Sequence, residues 1–111
     1  MPRRGNDVVV IFWRDIPAQV NARAGGEKHR VVLPRRFQRA IDDAAMVAGK
    51  KTASEYVGEW RRVSVPVPDG ATFTDAADAE AARLDSAFSR EQLERYVVNG
   101  GWDPDGERVQ S

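Results

Sequence analysis

The stretch Val8-Val9-Val10-Ile11-Phe12-Trp13-Arg14-Asp15-Ile16-Pro17-Ala18-Gln19-Val20-Asn21-Ala22 decides the fold. Its first six residues form an unbroken β-branched and aromatic run of strand length, the pattern of a strand covered on both faces and placed mid-sheet. Arg14 to Pro17 interrupts that run with turn-compatible residues. Ala18, Val20 and Ala22 then alternate with Gln19, Asn21 and Arg23, the period-two signature of a half-buried strand. Ala24-Gly25-Gly26-Glu27 supplies the positive-φ positions of a tight hairpin, and Lys28 to Leu33 follows as a third strand with His29, Val31 and Leu33 on one face. The expectation is a three-stranded antiparallel meander.

Helical spacing takes over after Leu33. Pro34 favours a helix start, Phe37, Ile41, Ala44 and Ala48 recur on one face, and Gly49 stands where a left-handed residue would close the helix. That face is expected to lie on the sheet. Thr52-Ala-Ser-Glu55 is a capping-box pattern, and Tyr56, Trp60 and Val63 continue at i, i+4 and i+7, so a short second helix is expected. A strand through Val63, Val65 and Val67 competes with it, and Pro66 and Pro68 would confine such a strand to an edge. Thr72 opens an Ala-rich helix with Ala77, Ala81, Leu84 and Phe88 on one face. Ser89 opens another, with Leu93, Tyr96 and Val97 inward and Asn99-Gly100-Gly101 as its stop. The class is α+β, a meander packed by helices with a helical C-terminal half. Residues 1–102 are expected to form one domain, and residues 103–111, which carry Pro, Gly and charge, a flexible polar tail.

With 111 residues the chain fits one domain, which at that size buries roughly 65% of its unfolded surface. It has 17 Lys+Arg against 17 Asp+Glu, one His and no Cys. Without Cys there is no disulfide framework, thiolate nucleophile or Cys-ligated metal. The longest apolar run, Val8 to Trp13, is far short of the roughly 20 residues a membrane span needs and too short for an export signal, so a cytoplasmic location is expected. The zero net charge conceals a split. Residues 1–63 hold 13 Lys/Arg and 7 Asp/Glu, a surplus of six positive charges, which residues 64–111 balance with 10 acids against 4 bases. Such a dipole can hold its own halves together or join two copies.

Trp13, Arg14 and Asp15 are the first candidate site, since an Arg–Asp pair at a strand end can orient a carboxylate or phosphate. The competing reading makes Asp15 a turn former paired with Arg14, and Trp13 core. Arg35, Arg36 and Arg39 form a basic strip on the first helix, suited to phosphate or an acidic partner surface. Trp102, just past the glycine pair, either docks on the core or anchors an interface. His29 is the sole histidine, the residue type best suited to act as a general base, but no Ser or Asp beside it marks a triad. The acidic residues show no metal-loop spacing. No catalytic or metal-binding residue and no cofactor is therefore assigned.

The strings Trp13-Arg14-Asp15-Ile16-Pro17-Ala18-Gln19-Val20 and Leu33-Pro34-Arg35-Arg36-Phe37-Gln38, with Glu59-Trp60-Arg61-Arg62 and Asn99-Gly100-Gly101, resemble the short bacterial family labelled "virulence factor", whose domain is similar to a segment of conserved virulence factor C. The resemblance carries no reaction or catalytic residue. Members of that family often sit near genes for folate- and corrinoid-dependent one-carbon transfer, which implies an accessory subunit. The function expected is thus a small binding or accessory protein whose partner is another protein, with a homo-oligomer as a further option. The alternative is a small enzyme or ligand-binding subunit of one-carbon metabolism, with Arg14, Asp15 and Gln19 joining Arg35 or Arg39 around an anion. Nucleic acid ranks third, because the chain is not basic overall and carries no recognition motif.

Overall fold

A computed structural model describes residues 7–50 and 52–106 of the chain. Arg3-Arg4, Lys51 and residues 107–111 of the expected tail lie outside the described residues. In chain order the elements are β1 (Asp7–Trp13), β2 (Ile16–Ala24), β3 (Glu27–Val32), α1 (Arg35–Val47), α2 (Ala53–Val57), β4 (Trp60–Val65), α3 (Phe73–Ala87) and α4 (Arg90–Val98).

The class is α+β as expected, but the sheet has four strands, in the order β3-β2-β1-β4, and every neighbouring pair is antiparallel. The added strand corrects the continuation of the second helix through Trp60 and Val63. Thr52 and Glu55 do close a capping box, but the helix ends at Gly58 after five residues. From Trp60 the β-branched sequence pairs with the second edge of β1, Trp13 opposite Trp60 and Val8 opposite Val65. Pairing on both sides is what the unbroken apolar run of β1 requires, because a meander of three strands would leave it at an edge. Pro66 then falls just beyond β4, which lies at the sheet's edge where a missing N–H is tolerated.

The α1 face lies on the sheet at β2 as expected, and a second helix covers more of it. The Ala-rich face of α3 packs across β1, β2 and β3, while α1 packs on α4 and on β2. Small side chains explain the arrangement: Ala77 and Ala81 let α3 approach the sheet closely, and Leu84 fills the end of the contact. Phe37 and Ile41 of α1 are fully buried, with Trp13, Ile16 and Val20 of the first hairpin. Burial of each such side chain contributes about 1.5–3 kcal/mol. Gly49, at φ 74°, closes α1 as expected: the Lys50 N–H reaches the Ala45 carbonyl at 2.9 Å. Thr72 and Ser89 cap α3 and α4 through the N–H groups of Asp75 and Gln92.

Candidate functional site

The turn between β1 and β2 consists of Arg14 and Asp15, and Arg14 is the one non-glycine with positive φ, 55°, among the described residues. A side chain in that region costs about 1–2 kcal/mol, so its surroundings must hold it there. Those surroundings are extensive. The Arg14 guanidinium lies over the rings of Trp13, at 5.3 Å, and Trp102, at 4.8 Å. It donates to the Gly100 carbonyl at 2.9 Å and to Glu59 Oε2 at 3.4 Å, and its side chain is 11% exposed. The Arg14 N–H donates to the Glu59 carbonyl.

Asp15 faces the other way. Its carboxylate accepts from Arg61 Nη2 and from the Asp103 N–H, both at 2.8 Å, and its own N–H donates to the Gly101 carbonyl at 2.9 Å. Arg61 in turn donates from Nε to the Arg14 carbonyl and lies over Phe12. Trp13, fully buried, stacks on Tyr56 at 5.7 Å and donates from its indole to the Tyr56 carbonyl at 2.8 Å. The turn thereby ties the first hairpin to α2, to β4 and to the chain after α4. Gly101 makes the approach possible: a Cβ there would sit 2.9 Å from Trp13 Cζ3, and its φ is 98°. Partial burial opposes ionisation of Glu59, but hydrogen bonds and charge from Arg14 and Lys50 outweigh it and hold its pKa below the usual carboxylate value.

Beside this clasp is a cavity of about 530 Å³ between β1, β4, α3 and α4, lined by Asp15, Arg61, Arg83, Tyr96 and Asp103 over Phe12 and Phe88. Burial, with the neighbouring carboxylates of Asp103, Asp15 and Asp105, raises the pKa of the Tyr96 phenol. Among the described residues no three His, Asp or Glu side chains converge as a metal site would need. His29 projects from β3 toward α3 and meets Asp78 at 3.0 Å.

The remaining candidates lie elsewhere. Arg35 and Arg39 line a groove of about 500 Å³ between α1 and α4, with Arg90, Asp43 and Glu94 on its walls and Ala40, Leu93 and Val97 at its base. Arg36 also lines this groove, but its guanidinium is engaged by the chain itself: it donates to the Phe88 and Asp85 carbonyls and pairs with the Asp85 carboxylate at 2.6 Å. Gln19 sits on the sheet face away from α3 and donates to Asn21 at 2.9 Å. The structure brings Trp13, Arg14, Asp15 and Trp102 into one cluster. It does not bring that cluster to Arg35 or Arg39: Gly100, against Arg14, approaches Ala48 just past the C-terminal end of α1, about 20 Å along the helix from Arg35. Sequence reasoning missed Glu59, Arg61 and Tyr56 as partners of the turn and Arg90 as a further cation of the groove. The Glu-Trp-Arg-Arg string at 59–62 was the available signal for the first two.

A four-stranded antiparallel sheet packed by helices, with α3 on one face and α2 over the Trp13–Trp60 end of the other, and a polar cluster engaged in joining the chain's own segments, defines a single-sheet α+β fold. The virulence factor family model matches residues 11–97, from the middle of β1 to near the end of α4, and the chain belongs to that family. No curated protein and no solved structure matches it. No helix among the described residues is long and apolar enough to cross a membrane.

Proposed function

We propose that this virulence factor family member is a non-enzymatic accessory module that binds an acidic surface of another protein through the groove between α1 and α4. The observation that carries this reading is the convergence of Arg35, Arg39 and Arg90 on one groove with no ion-pair partner among the described residues. The three arginines outnumber the groove's two acids, Asp43 and Glu94, and an acidic partner complements that surplus of positive charge. The apolar base of Ala40, Leu93 and Val97 adds area that water leaves on binding. By contrast, the charged groups that could serve acid–base chemistry are engaged by the fold: Arg14, Asp15 and Glu59 in the turn, His29 with Asp78.

The test is recovery of the partner on the tagged full chain from native lysate, with Arg35→Glu/Arg39→Glu run in parallel. Both charge reversals are on exposed positions and leave the core intact. A stoichiometric partner that is lost from the double variant and released by salt supports the reading. Equal recovery by the variant, or no partner together with a monomeric mass, defeats it.

A further inference from the structure

Antiparallel register places directly opposed residues on the same face, so the pairings sort the sheet into two sides. Val8, Val10, Val20, Ala22 and His29 face α3. On the other side, Tyr56 of α2 packs on the Trp60–Trp13–Ile16 row, and beyond it lie three further cross-strand rows. The first is Arg62–Ile11–Gln19–Val32, the second Ser64–Val9–Asn21–Arg30, and the third Asp7–Arg23–Lys28. Arg23, Lys28, Arg30, Val32 and Arg62 on this side are exposed, so among the described residues nothing covers them.

Three observations go beyond a merely solvated face. The four cations have no ion-pair partner among the described residues, and Arg23 and Lys28 stand directly opposite each other, a like-charge pairing that weakens a sheet. Asp7 is the single acid in the rows. Where the rows meet α1, a cavity of about 380 Å³ opens, walled by Ile11, Val32, Leu33 and Trp60 with the amides of Gln19 and Gln38 at its sides. Val32 is 66% exposed there, a large apolar side chain left to solvent on a sheet that covers its other face.

From this juxtaposition we infer that the open face of the sheet is a docking surface for an acidic peptide segment that carries an apolar anchor. The anchor enters the Ile11–Val32–Trp60 cavity and the acids that accompany it lie across the rows toward Arg30, Arg62, Arg23 and Lys28. Strands are about 4.8 Å apart, so the four-strand face is about 14 Å wide, the reach of four to five extended residues. Charge complementarity selects an acidic occupant, and the apolar cavity with its flanking amides selects a peptide over a nucleic acid. The rows present no exposed aromatic platform on which successive bases could stack, since Trp60 is half-buried at the cavity wall. This surface is separate from the α1–α4 groove and stands or falls without it.

The experiment is a random-peptide display selection against the full chain, followed by titration of the best-enriched peptide into ¹⁵N-labelled protein. Expected are sequences with one large apolar residue next to several Asp or Glu, and shifts at Gln19, Asn21, Arg30, Val32 and Arg62. Arg30→Glu/Arg62→Glu should weaken binding at least about tenfold, roughly 1.4 kcal/mol, and Val32→Ser should weaken it by less. All three changes are at exposed positions, and an unchanged amide spectrum away from the face shows that the variants fold. Enrichment without acids, shifts confined to α1 and α4, or undiminished binding by Arg30→Glu/Arg62→Glu each overturns the inference. So does tighter binding on the same rows by a single-stranded oligonucleotide of equal charge.

Discussion

Arg14 and Arg62 border the same central strand, one in the turn that follows it and one on the strand beside it, and their surroundings are opposite. Arg14 is enclosed by two indole rings, a carbonyl and a carboxylate. Arg62 stands exposed on the open face with no partner among the described residues. The difference teaches that the charged residues of this chain divide by role. Those in the turn after β1 close the fold, because desolvation makes their loss expensive. Those on the open face and in the α1–α4 groove contribute little to stability and are available to a partner.

The sharpest way to break that comparison is to truncate the turn. Trp13→Ala should destabilise the chain by about 4 kcal/mol, since it removes a fully buried indole, its stacking on Tyr56 and one hydrogen bond. The urea midpoint reads this directly. Gly101→Ala should follow at about 2–3 kcal/mol, because the new methyl collides with Trp13 at a positive φ; a neutral result would mean that the chain after α4 does not lie against Trp13. Arg14→Ala is expected to cost about 2 kcal/mol through the Gly100 and Glu59 contacts it abandons.

A pH series sharpens the same contrast. The folded-state pKa of Glu59 is depressed, so its contribution is present above its ordinary value of 4.5 and is lost as pH falls through the lower folded value. The stability gap between the native chain and Glu59→Gln should therefore narrow between about pH 5 and about pH 3. A gap that stays constant would show that the Arg14 and Lys50 pairs do not hold that carboxylate. At the small end, Arg39→Ala and Arg62→Ala should change stability by no more than about 0.5 kcal/mol. A loss comparable to that of Arg14→Ala would erase the distinction between the two sets of arginines.

Local patterning made much of the fold legible. The β1–β2–β3 meander, the caps at Thr52, Thr72 and Ser89, and the Gly49 stop follow from period, hydrogen-bonding side chains and positive φ. Residues 60–65 show where that reading ends. Tyr56, Trp60 and Val63 keep helical spacing, yet Trp60 and Val63 belong to a strand, because β1 offered them an unpaired edge about 50 residues away in sequence. The candidate site behaved similarly. Trp13, Arg14, Asp15 and Trp102 stand out by residue type, but their engagement by Glu59, Arg61, Gly100 and Gly101 depends on contacts across most of the chain.

By itself, then, the sequence determined the elements that local chemistry can specify: the alternating strands, the capped helices, the glycine stops and the surplus of cations in the first 63 residues. Only the tertiary structure decided which cations serve the fold and which remain open, and which strand completes the sheet. Pairing and burial are set by what lies opposite in space, and a one-residue difference in register or a different helix on the sheet would have exchanged those roles.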